Sequence, residues 1–185
     1  QVPATGGCII ASNHASFIDP PAVVCGVWHR HVRFMARETL FKNPLTRWWA
    51  GAVGVVPLDR TKGDIAAMRM ALNVLKGGGV LALFPEGTRT RDGKLQRVKG
   101  GVGFLIARSG VPVVPAFVHG SFQALPRGAL CVRPRKVAVV YGAPIMPEEL
   151  QNIMQGEKRY QDVADFVMRR IAELENQPLD AGGSA

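Results

Sequence analysis

Cys8-Ile9-Ile10-Ala11-Ser12-Asn13-His14-Ala15-Ser16-Phe17-Ile18-Asp19-Pro20-Pro21 begins as an unbroken apolar run, turns polar, and ends on two prolines. Apolar residues without polar alternation predict a strand covered on both faces of a sheet. Pro20 and Pro21 fix where a helix begins, because the first helical N–H groups have no intrahelical partner to lose. Strand, polar loop and helix start, in that order, open an α/β unit. Further apolar runs at Val32–Ala36, Val53–Leu58, Val80–Phe84, Val111–Val118 and Val137–Tyr141 predict the remaining strands. Between them, Asp64 can cap a helix carrying Ile65, Met68, Leu72 and Leu75, which Gly77–Gly79 stops. Gly101–Arg108 is a shorter helical candidate, and Val163, Phe166, Val167, Ile171 and Leu174 form one stripe of a helix near 160–175. Pro112 and Pro115 cannot donate to a ladder, so the strand that holds them is expected at an edge or at a bulge, with a structural role or as one wall of an acyl groove. The expectation is a single α/β domain over residues 1–178, a mostly central mixed sheet flanked by helices, with a frayed tail at 179–185.

The chain has 185 residues, of which 47% are hydrophobic, and this excludes a disordered polymer. Charge is unevenly spread. The whole chain carries +9, yet residues 30–136 hold 19 Lys+Arg against 5 Asp+Glu. A middle segment this basic expects an anionic partner, whether nucleic acid, an anionic membrane face or a phosphorylated substrate. Cys8, Cys25 and Cys131 show no paired spacing and read as reduced residues buried as small hydrophobes in a cytosolic setting. The longest apolar run, Trp48 to Leu58, has 11 residues, short of the roughly 20 that a membrane-crossing helix needs.

Chemistry concentrates in four blocks. In the first, a regular helix would set His14 and Asp19 about 140° apart. A strand-to-helix loop would let them face each other. A carboxylate on one imidazole nitrogen sets the tautomer and frees the other nitrogen as a base. Asp19-Pro20 equally fits an ordinary N-cap followed by a first-turn proline. The second block, Gly54-Val55-Val56-Pro57-Leu58-Asp59-Arg60, ends a strand in a charged pair, so Arg60 either reaches a pocket or pairs with Asp59. The third, Phe84-Pro85-Glu86-Gly87-Thr88-Arg89-Thr90-Arg91-Asp92-Gly93, leaves a strand end, where α/β sheets bind ligands. There Gly87 permits a tight backbone, Thr88 offers a hydroxyl, and Arg89 and Arg91 can fork onto phosphate oxygens. Lys99-Gly100-Gly101 opens the next helix candidate. The fourth block is Val111-Pro112-Val113-Val114-Pro115.

Together and in this order, the blocks resemble the glycerolipid acyltransferase family of lysophosphatidate-type enzymes. That family carries N-H-x-S-x-x-D, G-x-x-x-x-D-R, F-P-E-G-T-R and V-P-V-x-P, and all four stand between Asn13 and Pro115. The resemblance implies a glycerol-3-phosphate acyltransferase-like fold, with His14 as base and Asp19 as its orienting partner. It implies an acceptor site of Arg60, Glu86, Gly87, Thr88 and Arg89, with Lys99 where related chains often keep a basic residue. Pro57 stands where many relatives have an aromatic.

The implied reaction moves a fatty acyl group from acyl-CoA or acyl carrier protein onto a lysophosphatidate-type hydroxyl, without cofactor or metal. Another lysolipid or glycerol 3-phosphate is the alternative acceptor. His29, His31 and His119 lack nearby Cys or carboxylate partners in sequence and read as non-ligands. Ser16 reads as a helix-start residue rather than a nucleophile. Phe41-Lys42-Asn43-Pro44-Leu45-Thr46-Arg47-Trp48-Trp49 sets aromatics beside cations, which suits either a lipid headgroup interface or a packed core helix. Peripheral binding to an anionic membrane, on its cytoplasmic face, is expected, alone or through an upstream anchor. A nucleic-acid-binding module would also explain the charge, but no binding motif or set of stacking aromatics accompanies it. A phosphate-ester hydrolase could use the same His, Asp and Arg residues.

Overall fold

The computed structural model describes residues 1–37, 55–58, 64–98, 101–129, 131–154 and 157–177. Arg60, Lys99, the Phe41–Trp49 segment and the expected tail lie outside these residues.

Six strands form one sheet: β1 (Cys8–Ser12), β2 (Val32–Arg37), β3 (Val55–Leu58), β4 (Val80–Leu83), β5 (Val113–His119) and β6 (Ala138–Tyr141). Their order is β3-β2-β4-β1-β5-β6, parallel throughout except for the antiparallel β5–β6 pair. The mixed central sheet agrees with the continuous apolar runs. Every residue of β1 and β4 is buried, and alternate residues enter two separate cores.

Ile9, Ala11, Leu81, Leu83, Val113 and Phe117 face the larger core. Against them pack α2 (Asp64–Lys76), α3 (Gly101–Ser109), α5 (Pro147–Ile153) and α6 (Arg159–Glu173). On the other face, Cys8, Ile10, Phe34, Ala82, Val114 and Ala116 meet Val23 of α1 (Asp19–Cys25) and the following Val27. Burying a side chain of this size contributes about 1.5–3 kcal/mol, so the two faces fix the strand register. Tyr141 of β6 reaches across to α1, its hydroxyl donating to the Val23 carbonyl at 2.6 Å.

Of the two places expected for β5, the structure shows the bulge: the strand is interior, paired with β1 on one side and β6 on the other. Ala116 pairs with Tyr141, but the next bridge joins Val113 to Ile145, so the partner chain gains one residue between them. Pro115 sits at that bulge, where its carbonyl accepts from Gly142 at 2.8 Å and no donor is required of its nitrogen. Val113 through Val118 are buried in the two cores.

The cysteines also differ from expectation. Cys8 is buried, and burial raises its thiol to about 11, whereas Cys25 and Cys131 are exposed. Among the described residues, no helix is long and apolar enough to cross a membrane.

The chain leaves β1 toward α1 on one face of the sheet, and it leaves the adjacent, parallel β4 toward α3 on the other. Connections that diverge from neighbouring strand ends open a crevice between them, the usual ligand position in such sheets. The His14 and Glu86 loops both start there.

Candidate active site

The His14 loop runs from Asn13 to Ile18. Asn13 extends β1 by side-chain means: its Oδ1 accepts from the Val118 N–H at 2.7 Å and its Nδ2 donates to the Val118 carbonyl at 3.2 Å. Beyond it the chain folds back over Asp19. Asp19 Oδ2 accepts from His14 Nδ1 at 2.9 Å and from the backbone N–H groups of Ala15 and Ser16 at 2.6 and 2.7 Å. Asp19 is therefore the first residue of α1 and not its N-cap, a place taken by Ile18. A carboxylate in a first helical turn is favoured by the exposed N–H dipoles there. Asp19 is fully buried, while the His14 side chain is 17% exposed. With Nδ1–H donated to the carboxylate, Nε2 keeps its lone pair for a solvent-borne proton. Phe84 stacks on the imidazole at 4.1 Å between centroids, which holds the ring plane.

Ser16 behaves as a helix-start residue. Its Oγ accepts from the Ile18 N–H at 3.2 Å and donates to the Leu125 carbonyl at 2.8 Å.

Glu86 joins the two loops. Its Oε1 accepts from the His14 N–H at 2.7 Å and its Oε2 from the Gln96 N–H at 3.0 Å. The Thr90 N–H returns a bond to the His14 carbonyl at 2.9 Å. Glu86 is 2% exposed, and this burial raises its carboxyl to about 7, against the lowering effect of the two N–H donors. Its carboxylate is thus committed to holding the loop that carries the histidine. Gly87 turns the chain with φ of +65°, a conformation a side chain would resist.

Beyond Gly87 the loop borders an open cleft of about 600 Å³ lined by Thr88, Arg89, Thr90, Arg91, Asp92, Gln96 and Arg127. The Arg89 guanidinium lies 3.6 Å from the centroid of Phe17, a residue of the His14 loop. Burial first, and the Arg127 charge second, lower the Arg89 pKa from its ordinary value, while Asp19 opposes them. Thr90 and Asp92 form a turn, the Thr90 hydroxyl donating to Asp92 Oδ1 at 2.8 Å.

His14, Asp19, Glu86, Gly87, Thr88 and Arg89 therefore come together, although they arise from two segments about 70 positions apart. Phe84, Gln96 and Arg127 join them without having been singled out. Phe84 carried a signal, as the last residue of an apolar run before the polar loop. Gln96 acts through its main chain, and Arg127 follows a different strand, so neither left a pattern. Among the described residues, no three His, Cys, Asp or Glu side chains converge to hold a metal ion.

The Acyltransferase family model matches residues 1–119, which include the dyad and the loop after β4. The chain belongs to the Acyltransferase family. Two acyltransferase relatives bracket its resemblance. A chloroplastic 1-acyl-sn-glycerol-3-phosphate acyltransferase of Brassica napus is 32% identical over 124 residues, covering 66% of this chain and 36% of the relative. The 1-acyl-sn-glycerol-3-phosphate acyltransferase of Bacillus subtilis is 28% identical over 179 residues, covering 96% of this chain and 85% of the relative. Among solved structures, the 1-acyl-sn-glycerophosphate acyltransferase PlsC of Thermotoga maritima superposes with a TM-score of 0.74 at 29% identity, covering 96% of this chain and 70% of that one. The chain spans about a third of the length of the chloroplastic relatives of Brassica napus and Arabidopsis thaliana.

Proposed function

We propose that this acyltransferase moves a fatty acyl group from a thioester, acyl-CoA or acyl carrier protein, to the free hydroxyl of a lysophosphatidate-type acceptor. The observation that carries this reading is the 2.9 Å bond from His14 Nδ1 to a fully buried Asp19, in a loop pinned beside an arginine-lined cleft. His14 Nε2 takes the proton of the acceptor hydroxyl as its oxygen attacks the thioester carbonyl. The tetrahedral intermediate collapses with cleavage of the C–S bond, and the imidazolium returns its proton to the departing thiolate. Asp19 orients the ring and stabilises its cationic form. A base so placed contributes about 10²–10⁴-fold. The reaction requires no covalent acyl-enzyme, in keeping with a Ser16 hydroxyl already donated to Leu125.

Arg89 and Thr88 face the acceptor phosphate, with Arg60 and Lys99 as further cations of that site. Glu86 serves by positioning His14, and Gly87 by admitting the turn. The names of the relatives favour lysophosphatidate over another lysolipid or glycerol 3-phosphate. The work takes place at an anionic membrane surface, on its cytoplasmic face, where the basic middle segment meets lipid.

The test supplies acyl-CoA and acyl carrier protein donors with lysophosphatidate, glycerol 3-phosphate and other lysolipids, and follows thiol release and lipid product. Acceptor-dependent thiol release with phosphatidate formed is expected. Release of inorganic phosphate without thiol release would replace the reading with a phosphate-ester hydrolase.

A further inference from the structure

Arg127 lies 38 positions beyond Arg89, after a different strand, yet lines the same cleft. It follows the short helix α4 (Ser121–Ala124), in a turn closed by the Ala129 N–H donating to the Pro126 carbonyl at 3.1 Å. That turn is anchored at both sides. The Ser16 hydroxyl of the histidine loop donates to the Leu125 carbonyl at 2.8 Å, and the Arg133 N–H donates to the Ala124 carbonyl at 2.8 Å. Ser16 thus ties the turn bearing Arg127 to the loop bearing His14.

Three guanidinium groups border one opening, those of Arg89 and Arg127 and that of the exposed Arg91. Among the described residues none of them has a carboxylate within ion-pair distance. The Asp92 carboxylate, which lines the same cleft, accepts from the Thr90 hydroxyl and the Lys94 N–H. The Arg127 charge also acts on Arg89, lowering its pKa, so the pair repels until an anion enters. A phosphomonoester carries between one and two negative charges near neutrality and three terminal oxygens. A phosphodiester carries one charge and two such oxygens. Two planar donor forks match the first better than the second.

We propose that Arg127 is a second phosphate-binding residue of the acceptor cleft and selects a phosphomonoester headgroup over a phosphodiester one. The proposal rests on the acceptor site assigned above and extends it to a residue outside the four motifs.

The experiment measures, on the full chain in mixed micelles, KM and kcat for lysophosphatidate, and KM or Ki for lysophosphatidylglycerol of the same acyl chain. Wild type, Arg127→Ala, Arg127→Lys and Arg135→Ala are compared. Arg135 is exposed and outside the cleft, so it controls for loss of one surface charge. In Arg127→Ala the lysophosphatidate KM is expected to rise about 10-fold or more with kcat within about 3-fold. The lysophosphatidylglycerol constant should move less than about 3-fold, Arg127→Lys should fall between, and Arg135→Ala should match wild type. An unchanged lysophosphatidate KM in Arg127→Ala overturns the proposal. So does an equal rise for both lipids, or an equal rise in Arg135→Ala. A wild-type chain that acylates none of the lysophospholipids instead defeats the acyltransferase reading itself.

Discussion

Glu86 shows how one buried carboxylate can tie two loops together through main-chain hydrogen bonds. It accepts from the main chain on both sides, and burial lifts it from an ordinary 4.5 to about 7. Between those values the native protein holds a proton that the unfolded chain has released. This contribution to stability is present below about 4.5 and lost as pH rises through about 7. The Tm of the wild type minus that of Glu86→Gln should therefore fall as pH climbs across this window; a constant difference contradicts the assignment. Local sequence left the His14–Asp19 pairing open, since a loop ended by Pro20 and Pro21 allows Asp19 to fold back but equally allows an N-cap, and only the four motifs together favoured the pair. The place of Glu86 was less legible still, since its partners are N–H groups that every residue possesses. A motif glutamate beside arginines reads as a ligand-site residue, whereas its oxygens serve the backbone.

At the scale of elements, the contact between α3 and α6 depends on Gly103. A Cβ there would collide with the Tyr160 carbonyl oxygen and approach Ala164 Cβ to 3.1 Å. Gly103→Ala would gain about 1 kcal/mol of helix propensity. It would lose up to about 3 kcal/mol to overpacking. A net loss of about 2 kcal/mol is expected in urea denaturation, and a variant as stable as wild type would show that the helices can part without cost. β1, β4 and β5 were readable because both their faces are buried, leaving unbroken apolar runs with ends displaced by one or two residues. By contrast, α5 spans seven residues with only Leu150 buried, and α4 spans four, so neither presents a stripe. Pro115 marked β5 as an edge or a bulged strand, and local sequence could not choose between the two. A one-residue bulge in its partner removes the demand for a donor at Pro115, and that depends on residues 30 positions away.

For the whole molecule, strand order could not be read from local pattern, because pairing β1 between β4 and β5 joins segments about 70 and 100 positions away. That order nevertheless creates the crevice in which the His14 and Glu86 loops meet. The net charge of +9, concentrated in residues 30–136, belongs to this scale too. Each cation near an anionic bilayer contributes about 1 kcal/mol. Binding to phosphatidylserine vesicles should weaken steeply as salt rises and the Debye length shrinks; salt-insensitive binding would remove electrostatics from the account. At the centre of the proposed reaction, a histidine held by a buried aspartate performs the proton transfer of acyl transfer. The most direct measurement follows thiol release from the acyl donor with lysophosphatidate for wild type and His14→Ala, alongside their melting curves. A fall of at least about 10²-fold in kcat at an unchanged Tm is predicted, and turnover retained by a folded His14→Ala would contradict it.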